Sequence, residues 1–372
     1  MNTIFFIFMG AQLVITVVSL INLISMPWIE WAGKQGEKEV SNRKILPDIL
    51  VPVRNEEARI EPLLNSLEGS LPSLRKVIFC DDHSTDSTAS IIERSIEKCP
   101  QISMIKGAEL PDGWNGKTFA CHQLAQKSES NLMLFLDADV TLAPQLPVVI
   151  SNILTKKQLA LVSVFPFQEM KSVGELTTVP IMHWILLSLL PLRMVYWLKG
   201  KSIAAANGQV MLFDSKTYRL NQWHRLVKDE VVEDIKIARL IKSRNYKMAV
   251  YVSHNLVRCR MYGSYKEAIK GFSKNIHEFF GGSRLIALLY FILLGVGPVA
   301  VLPFLTFWQS ILLACFIIIN RLSTSFAAGQ NGLINLLLHP LQVLAMGHIL
   351  IVNFIEKTKK RIQWKDRNID LD

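Results

Sequence analysis

The sequence predicts an α/β protein in which a doubly wound sheet lies between transmembrane helices at both ends of the chain. Strand and helix signals alternate through the charged middle part, residues 30–284. Three stretches without Asp, Glu, Lys or Arg flank that part: residues 1–29, 285–320 and 322–355. Each stretch is long enough to supply the about 20 apolar residues that cross a bilayer as a helix. We therefore expect a membrane-bound protein with one sizeable α/β domain.

The N-terminal stretch, residues 1–29, is expected to be a retained transmembrane anchor. A cleavable signal peptide is the alternative, but the stretch has no basic start, its apolar run is long, and no clear A-x-A site follows. Trp28 and Trp31 lie at its end, where an aromatic belt meets the membrane surface. A mean hydropathy of +0.27 also excludes an ordinary soluble enzyme.

The net charge of +10 comes partly from basic residues beside the apolar stretches. No basic face with interleaved aromatic residues is evident, which argues against a nucleic-acid partner. By the positive-inside rule, domain 30–284 and the basic tail 357–372 are expected on the cytoplasmic side of the cell membrane. The basic residues that predict this are Lys34, Lys38, Arg43 and Lys44, and then Lys357, Lys359, Lys360, Arg361, Lys365 and Arg367.

The C-terminal membrane region, residues 285–356, leaves the number of spans open. Two spans in 285–320 and a third in 322–355 would place the basic tail on the opposite side, unless one stretch is re-entrant, interfacial or broken at a proline. A further apolar stretch, residues 176–198, contains Pro180, His183, Pro191 and Arg193. It fits an amphipathic hairpin in the membrane interface better than a spanning helix.

The charged domain opens with "DILVPV" (48–53), a buried strand, and a helix is expected from Asn55. A second strand (76–82) and helix (84–99) follow, and then strands at 102–107, 131–140 and 159–165. This alternation predicts a parallel sheet, which binds ligands beyond the carboxyl ends of its strands. Acidic residues follow two of these strands: Asp81 and Asp82 in one place, Asp137 and Asp139 in the other.

Asp137-Ala-Asp139 is the most informative triplet. Two carboxylates at the end of an apolar strand favour a hard cation, Mg²⁺ or Mn²⁺, that bridges phosphate oxygens. For an isolated triplet the simpler interpretation is that Asp139 caps the helix expected in "APQLPVVI". The neighbouring motifs favour the metal.

Four motifs occur in order: "PVRNEEARI" (52–60), "DDHSTDST" (81–88), "FLDADV" (135–140) and "VVEDIKIARLI" (231–241). Over roughly residues 47–275 the sequence thereby resembles the family 2 glycosyltransferases, whose GT-A fold is a doubly wound mixed sheet. It is most similar to the membrane-bound carotenoid- and hopanoid-associated subgroup, in "GWNGKTFACHQ", "NGQVMLF", "RMYGSYKEAIKGFSKN", "HPL" and "QWKDR".

The resemblance implies a role for each matching residue. The first loop holds the nucleoside, Asp82 contacts uracil or ribose with support from Asp81, and Asp137 and Asp139 hold the metal and diphosphate. Asp234, next to Glu233, is the base that activates the acceptor, although a solvated helix start is the simpler interpretation of that pair taken alone. The residues of the first loop are Pro52, Arg54, Asn55 and Glu56.

The loop "LPDGWNGKT" (110–118) resembles a phosphate-binding P-loop, but Pro111 occupies the position of the first glycine. Between the nucleoside and metal motifs it is expected to hold the sugar donor, with Trp114 packing on the nucleotide or sugar and Lys117 meeting the diphosphate. A surface lysine at a helix start is the alternative for Lys117. The resemblance implies that Asn207, Gly208 and Gln209 line the sugar or acceptor pocket. The alternative is that these three residues form only a turn. Arg260 and Lys274 are candidate phosphate contacts or simply surface basic residues.

The predicted function is transfer of a sugar, with inversion, from a nucleotide-sugar such as UDP-glucose to a lipid. The polysaccharide-synthase signature Q-x-x-R-W is missing from residues 258–275, which disfavours processive synthesis. The resemblance implies a carotenoid or isoprenoid acid or alcohol as acceptor; ceramide, diacylglycerol and polyprenyl phosphate are alternatives. A nonenzymatic scaffold or a transporter that only binds nucleotide is the competing class.

Overall fold

The computed structural model describes residues 2–32, 45–358, 362–364 and 367–369. The chain divides into two compact units. The membrane unit comprises Met1–Met26, Met170–Met194 and Tyr262–Ile362. The sheet unit comprises Pro27–Glu169, Val195–Met261 and Gln363–Asp372.

The basic residues from which we predict the orientation in the membrane lie largely outside the described residues. Only backbone is described for Lys357 and Arg367. The cytoplasmic location of the domain therefore stays a prediction. The residues outside the described ranges are Lys34, Lys38, Arg43, Lys44, Lys359, Lys360, Arg361 and Lys365.

The sheet unit is built on a seven-stranded sheet with the order β3-β2-β1-β4-β8-β6-β9. Strand β8 is antiparallel to both of its neighbours, and the other pairings are parallel. The predicted mixed α/β sheet is thus confirmed, whereas the wholly parallel order suggested by the alternating signals is wrong at β8. The strands are β1 Asp48–Val53, β2 Lys76–Asp81, β3 Ile102–Lys106, β4 Leu132–Leu136, β6 Leu161–Phe165, β8 Val210–Asp214 and β9 Met248–Val252.

Apolar strands form the centre of this unit because helices cover both faces of the sheet. All five residues of β4 and all five of β6 are buried, the pattern of a strand covered on both faces. The helices of the unit are Ile60–Ser70, Thr88–Lys98, Gly116–Lys127, Leu146–Lys157, Ser215–Asn221, Trp223–Leu226 and Glu233–Ser243, with 3-10 turns at Leu71–Ser73 and Lys201–Ile203; Met194–Trp197 lies at the boundary between the units.

The first two helices of the sheet unit begin later than predicted. Asn55 has a φ of +50°, in the left-handed region, so the helix expected from Asn55 begins only at Ile60. The second begins at Thr88, because the Asp86 carboxylate accepts the Thr88 N–H at 3.0 Å. Both strands therefore end in loops rather than running directly into helices.

The predicted strand 131–140 is also shorter in the structure. Strand β4 ends at Leu136, and β5 (Val140–Leu142) belongs to a separate three-stranded sheet with the order β5-β10-β7. Asp139 lies in the turn between the two strands. It does not cap a helix, because the next helix begins at Leu146. The other strands are β7 Phe167–Gln168 and β10 Val257–Cys259, and β11 Ile362–Trp364 pairs with β12 Arg367–Ile369.

The membrane unit is helical. Among the described residues, three segments are long and apolar enough to cross a membrane: Phe5–Ser25, Arg284–Phe304 and Phe307–Ala327. The sequence divides its apolar stretches at Arg321, but the structure places Arg321 inside one continuous helix. The helices are Asn2–Ser25, Val173–Thr178, Pro180–Leu189, Tyr265–Ser273, Arg284–Tyr290, Gly297–Val301, Phe307–Ala327, Gly332–Leu337 and His339–Thr358, with a π-helical turn at Phe291–Val296 and 3-10 turns at Ile276–Phe280 and Leu302–Phe304.

A buried carboxylate at the first residue of β1 ties three segments of the sheet unit together. Asp48 accepts hydrogen bonds from Arg75 Nε and Nη2, both at 2.7 Å, and from Ser128 Oγ at 2.8 Å. The backbone N–H groups of Glu129 and Ser130 also donate to it, at 3.2 Å. Burial alone raises the pKa of Asp48, but Arg75 and Ser128 outweigh it and hold that pKa below its ordinary value.

We expect Arg75→Gln to lower the thermal unfolding midpoint of the purified protein. The variant leaves Asp48 buried with its neutral donors only, and a hydrogen bond to a charged group contributes about 1.5–3 kcal/mol. Arg75 is 35% exposed, so we expect about 1–2 kcal/mol after solvent screening. The low pKa of Asp48 stabilises the fold above the ordinary pKa of an aspartate. The deficit should therefore shrink as the pH falls below about 4.

Arg94→Gln is the matched control, since Arg94 is exposed on the helix Thr88–Lys98. An equal loss of stability in both variants would show that the Asp48–Arg75 pair contributes nothing specific.

Candidate active site

The predicted acidic groups lie at one edge of the sheet, where the parallel strands β1, β2 and β4 end. Arg54, Asn55 and Glu56 follow β1, which contains Pro52. Asp81 ends β2, and Asp82 follows it. Asp137 follows β4, and its backbone N–H donates to Gln209 O at 3.2 Å. Parallel strands present their carboxyl ends at the same edge, which brings together motifs far apart in the sequence.

The loops after β1 and β2 hold one another through side-chain contacts. Arg54 donates to the carbonyl of Asp82, and its guanidinium lies 3.7 Å from the Asp82 carboxylate. Asn55 Oδ1 accepts the Thr85 N–H at 2.8 Å. The Glu56 N–H donates to Thr88 Oγ1 at 2.8 Å. The predicted nucleoside loop is therefore fixed against the loop that carries the second acidic motif.

Lys117 is the centre of the site. Its Nζ lies 2.8 Å from Asp137 Oδ1 and 2.9 Å from Glu233 Oε1, so one ammonium joins the end of β4 to the start of the helix Glu233–Ser243. Burial works against the charge of Lys117, but the two carboxylates outweigh it and hold its pKa well above the ordinary value. Lys117 does lie at a helix start, as the alternative has it, but its ammonium is ion-paired inside the site, and its contact with a diphosphate stays a prediction.

The loop before Lys117 explains why the side chain points to these acids. Gly113 has a φ of +71°, a conformation that glycine adopts without strain. Asn115 then caps the helix Gly116–Lys127, because its Oδ1 accepts the Lys117 N–H at 3.0 Å. The Asn115 N–H donates to Lys228 O at 2.5 Å, which fixes the loop. The glycines and asparagine of "GWNGK" thus shape the backbone that presents Lys117.

Glu233 and Asp234 differ in their environments although they are adjacent. Burial raises the pKa of Glu233, but Lys117 outweighs that effect and holds it below the ordinary value. Burial, together with the charge of Glu233, raises the pKa of Asp234 to about 7. The Gly208 N–H donates to Asp234 Oδ2 at 2.8 Å. The pair is thus held inside the site and is no solvated helix start, and Asp234 is poised to exchange a proton near neutral pH.

Asp137 and Asp139 fit a divalent cation shared with a diphosphate. Asp139 Oδ1 is buried and has no hydrogen-bond partner among the described residues, as expected of an oxygen that serves as a metal ligand. Burial, with the charges of Asp137 and Glu56, raises the pKa of Asp139 to about 7, so a cation here would relieve repulsion. Within the described ranges, no group of three or more His, Cys, Asp or Glu side chains could hold a metal. The remaining ligands would therefore be phosphate oxygens and water, as is common for Mg²⁺.

Of the predicted pocket residues, Gly208 lies at the same centre, Asn207 precedes it, and Gln209 is buried. Asn207 is held by Ser163, whose Oγ accepts its N–H at 2.8 Å. A Cβ on Gly208 would lie 3.4 Å from Glu233 Oε1, 3.5 Å from Asp234 Oδ2 and 3.5 Å from Lys117 Nζ. Gln209 Nε2 donates to Cys259 Sγ at 2.7 Å. Gly208 and Gln209 form a turn, and Gly208 lies beside three charged side chains, so the pocket assignment stays a prediction.

The remaining predicted residues are less closely associated with this centre. Trp114 packs on Phe119 and His122, with ring centroids 5.2 Å apart in both cases. It also lines an open cleft. Arg260 is exposed, and Lys274 belongs to the membrane unit, at the end of the helix Tyr265–Ser273. The other residues that line the cleft are Leu220, Asn221, Gln222, Arg225, Leu226 and Lys228.

One residue of the site, Arg59, and one contact, made by the predicted residue Gly208, were not predicted from the sequence. Arg59 lowers the pKa of Asp139 through its charge, in opposition to Asp137 and Glu56. In the sequence it cannot be told from a surface arginine in the first turn of a helix. The backbone N–H of Gly208 holds Asp234, a contact that leaves no side-chain signal.

Three comparisons place this geometry among known proteins. Residues 48–218 match the profile of Glycosyl transferase family 2. A curated relative from Staphylococcus haemolyticus (strain JCSC1435), 4,4'-diaponeurosporenoate glycosyltransferase, is 26% identical over 232 residues, which cover 61% of this chain and 60% of the relative. The protein of that name from Staphylococcus aureus (strain USA300) is 26% identical over 249 residues, 65% of this chain and 64% of the relative.

Among solved structures, a mannosyltransferase from Pyrobaculum calidifontis, in complex with GDP-Man and Mn²⁺, aligns with a TM-score of 0.50 and 16% identity. The alignment covers 97% of this chain and 100% of the other. At this identity the likeness concerns the fold.

The mixed sheet and its acidic edge lie largely within the segment, residues 48–218, that is similar to Glycosyl transferase family 2. The matches span less than two thirds of the length of the curated relatives.

We expect Lys117→Met to destabilise the sheet unit more at pH 8 than at pH 5. The raised pKa of Lys117 means that wild type keeps this cation throughout that range. Without it, Asp137, Glu233 and Asp234 repel one another at pH 8, and protonation relieves part of the repulsion at pH 5. Thermal unfolding of the purified variant and wild type at both pH values measures the difference.

Lys127→Met, an exposed site in the last turn of the same helix, is the control and should show little pH-dependent difference. A deficit of Lys117→Met that is equal at both pH values would contradict the electrostatic role of the ammonium.

Proposed function

We propose that this protein is a membrane-bound, metal-dependent, inverting glycosyltransferase that moves a sugar from a UDP-sugar, UDP-glucose by preference, to the carboxylate of an isoprenoid lipid. The observation that carries the proposal is the single ammonium of Lys117 between Asp137 and Glu233, with Asp234 beside them. The ammonium links Asp137, where the diphosphate of the donor would bind, to Glu233 and Asp234, where the acceptor would lie. The name of the curated relatives supports a carotenoid-type acid as acceptor.

The donor is held, in this proposal, by the loops after β1 and β2 and by the lysine loop. Asp82 faces the nucleoside, positioned by Arg54. Lys117 meets the diphosphate, whose leaving group gains negative charge as the bond to the sugar breaks. A preorganised cation stabilises that charge without further reorganisation.

Mg²⁺ or Mn²⁺ would be held by Asp137 and Asp139 together with the diphosphate. When bound, the cation supplies Lewis-acid stabilisation of the leaving diphosphate. The buried and unpartnered Asp139 Oδ1 supports this assignment.

The acceptor is positioned by Asp234 on the opposite side of the sugar, so one displacement inverts the anomeric centre. A lipid carboxylic acid is already ionised near pH 7, since ordinary carboxyl pKa values are about 4. Asp234 then orients the acceptor, and proton removal matters little. For a hydroxyl acceptor, by contrast, Asp234 would have to remove a proton, and kcat would rise with pH through about 7 as Asp234 ionises.

Release of UDP from UDP-glucose by the purified full-length protein, in the presence of a carotenoid acid, tests the proposal. We expect EDTA to abolish turnover and Mn²⁺ or Mg²⁺ to restore it. Asp139→Asn should reduce kcat by about 100-fold or more, because the diphosphate charge loses its metal. Asp229→Asn, an exposed carboxylate, is the control. Binding of UDP-glucose without turnover on any acceptor would instead favour the nucleotide-binding scaffold.

Asp234→Asn distinguishes the two acceptor classes. With a carboxylic-acid acceptor we expect kcat to fall only about tenfold, because the amide oxygen still accepts the Gly208 N–H and proton removal is not needed. Loss of general-base catalysis from a hydroxyl acceptor would cost about 10²–10⁴-fold. Labelled glucose in the lipid product, released by mild alkali as from an ester, identifies the linkage. An alkali-stable glycoside together with near-complete loss in Asp234→Asn would overturn the carboxylate acceptor.

A further inference from the structure

The membrane unit contains a buried guanidinium within an apolar helix. Arg321 is 1% exposed and lies in the helix Phe307–Ala327, which is long and apolar enough to cross a membrane. Its Cζ lies 4.7 Å from the centroid of the Trp184 ring, and its Nη2 donates to Gln342 Oε1. A charge removed from water costs several kcal/mol unless an opposite charge compensates it.

The carboxylates of this unit are engaged elsewhere. Its acidic residues are Glu175, Glu267, Glu278 and Glu356. Glu175 accepts the Ser172 N–H at 2.6 Å, Glu267 accepts the Gly263 N–H at 2.9 Å, and Glu356 accepts from Ser273 Oγ at 3.2 Å. Glu278 lies 3.8 Å from His277. Over the part of the chain that the structure describes, no carboxylate pairs with Arg321.

The neutral groups around Arg321 are held in fixed orientations. Trp184 Nε1 donates to Asn320 Oδ1 at 2.8 Å. Gln342 Nε2 donates to Leu176 O at 2.9 Å and to Asn335 Oδ1 at 3.1 Å, so its Oε1 is turned to the guanidinium. The orientations of the Trp184 ring and of Gln342 Oε1 are therefore set by the surrounding helices.

Two buried nitrogens beside Trp184 have no hydrogen-bond partner among the described residues: Arg321 Nε and His339 Nδ1. The ring of His339 lies 5.2 Å from that of Trp184, on which Arg321 also packs. Buried polar atoms are nearly always paired in native proteins. The Arg321 cation with its unpaired Nε–H forms a site suited to an anion, to which His339 also donates in the tautomer that carries the proton on Nδ1.

We propose that the cluster of Trp184, Arg321, His339 and Gln342 binds the carboxylate of a membrane lipid acid. The planar guanidinium matches a carboxylate in a bidentate pair. Arg321 lies six residues before the helix end at Ala327, about 9 Å along the axis. A carboxylic acid can enter this apolar layer in its neutral form and ionise beside the guanidinium, whereas a phosphate keeps its charge throughout. This site does not rest on the proposed glycosyl transfer.

Quenching of Trp184 fluorescence measures binding in the full-length protein in detergent. The probe is a stearic acid that carries a nitroxide quencher near its carboxyl group. The difference between wild type and Trp184→Phe isolates the signal of Trp184 from that of the other tryptophans. We expect saturable quenching that oleic acid reverses and that methyl oleate, dioleoyl phosphatidic acid and inorganic phosphate do not.

Arg321→Gln should weaken binding of the probe at least about 30-fold, because the ligand carboxylate loses its buried charged partner. Gln342→Glu supplies an internal carboxylate to Arg321. It should abolish binding while raising the thermal unfolding midpoint, so the test does not depend on the folding of Arg321→Gln. Lys266→Gln removes a charge at an exposed position of the same unit and should leave binding unchanged.

Equal binding by wild type, Arg321→Gln and Gln342→Glu would overturn the proposal, as would equal competition by methyl oleate. Displacement by phosphatidic acid or inorganic phosphate but not by oleic acid would exclude a lipid carboxylate as the ligand.

Discussion

The ammonium of Lys117 is the interaction on which the site depends. Asp137 and Glu233 come within 2.9 Å of it, from segments almost a hundred residues apart in sequence. Two carboxylates at such short range would repel each other strongly if no cation lay between them. The lysine allows the end of β4 and the start of the helix Glu233–Ser243 to lie close together. Asp234 lies in the site because it is the next residue of that helix.

The position of the Lys117 ammonium depends on several strands that end at the same edge of the sheet. The parallel strands β1, β2 and β4 bring the acidic loops to one side, and antiparallel β8 brings Gly208 back to the same place. A Cβ at Gly208 would lie in van der Waals contact with Lys117, Glu233 and Asp234, and the Gly208 N–H donates to Asp234 Oδ2. The fold thus supplies the ammonium of Lys117 and the backbone N–H groups of Gly208 and Ile235, which both donate to Asp234, against three carboxylates. This balance explains why Glu233 has a lowered pKa while that of Asp234 rises to about 7.

Much of the fold and of the site could be predicted from the sequence. Strands of a buried sheet are continuous apolar runs, and acidic residues directly after such strands indicate a ligand site at the strand ends. The central strands and the gathering of acids at one edge follow from those signals, whereas the mixed sheet follows only from the resemblance to family 2 glycosyltransferases. The direction of β8 does not, since an apolar run carries no sign of parallel or antiparallel pairing. The delayed start at Ile60 could not be predicted either, because it depends on the left-handed backbone of Asn55 and its contact with Thr85. Contacts made by backbone groups, such as that of Gly208, leave no pattern in the side chains.

The same electrostatic rule distinguishes Lys117 from Arg321. Lys117 has two carboxylates within 2.9 Å, and burial therefore strengthens its attraction to them. Arg321 has an indole face and one amide oxygen, which stabilise a guanidinium less than a carboxylate does. From the sequence, Arg321 marks a break between apolar stretches, because a single charge in such a region is costly for a spanning helix. The structure keeps the helix continuous and surrounds the charge with oriented neutral groups instead. An isolated cation kept at that cost within a membrane unit is most simply explained by an anion that it binds.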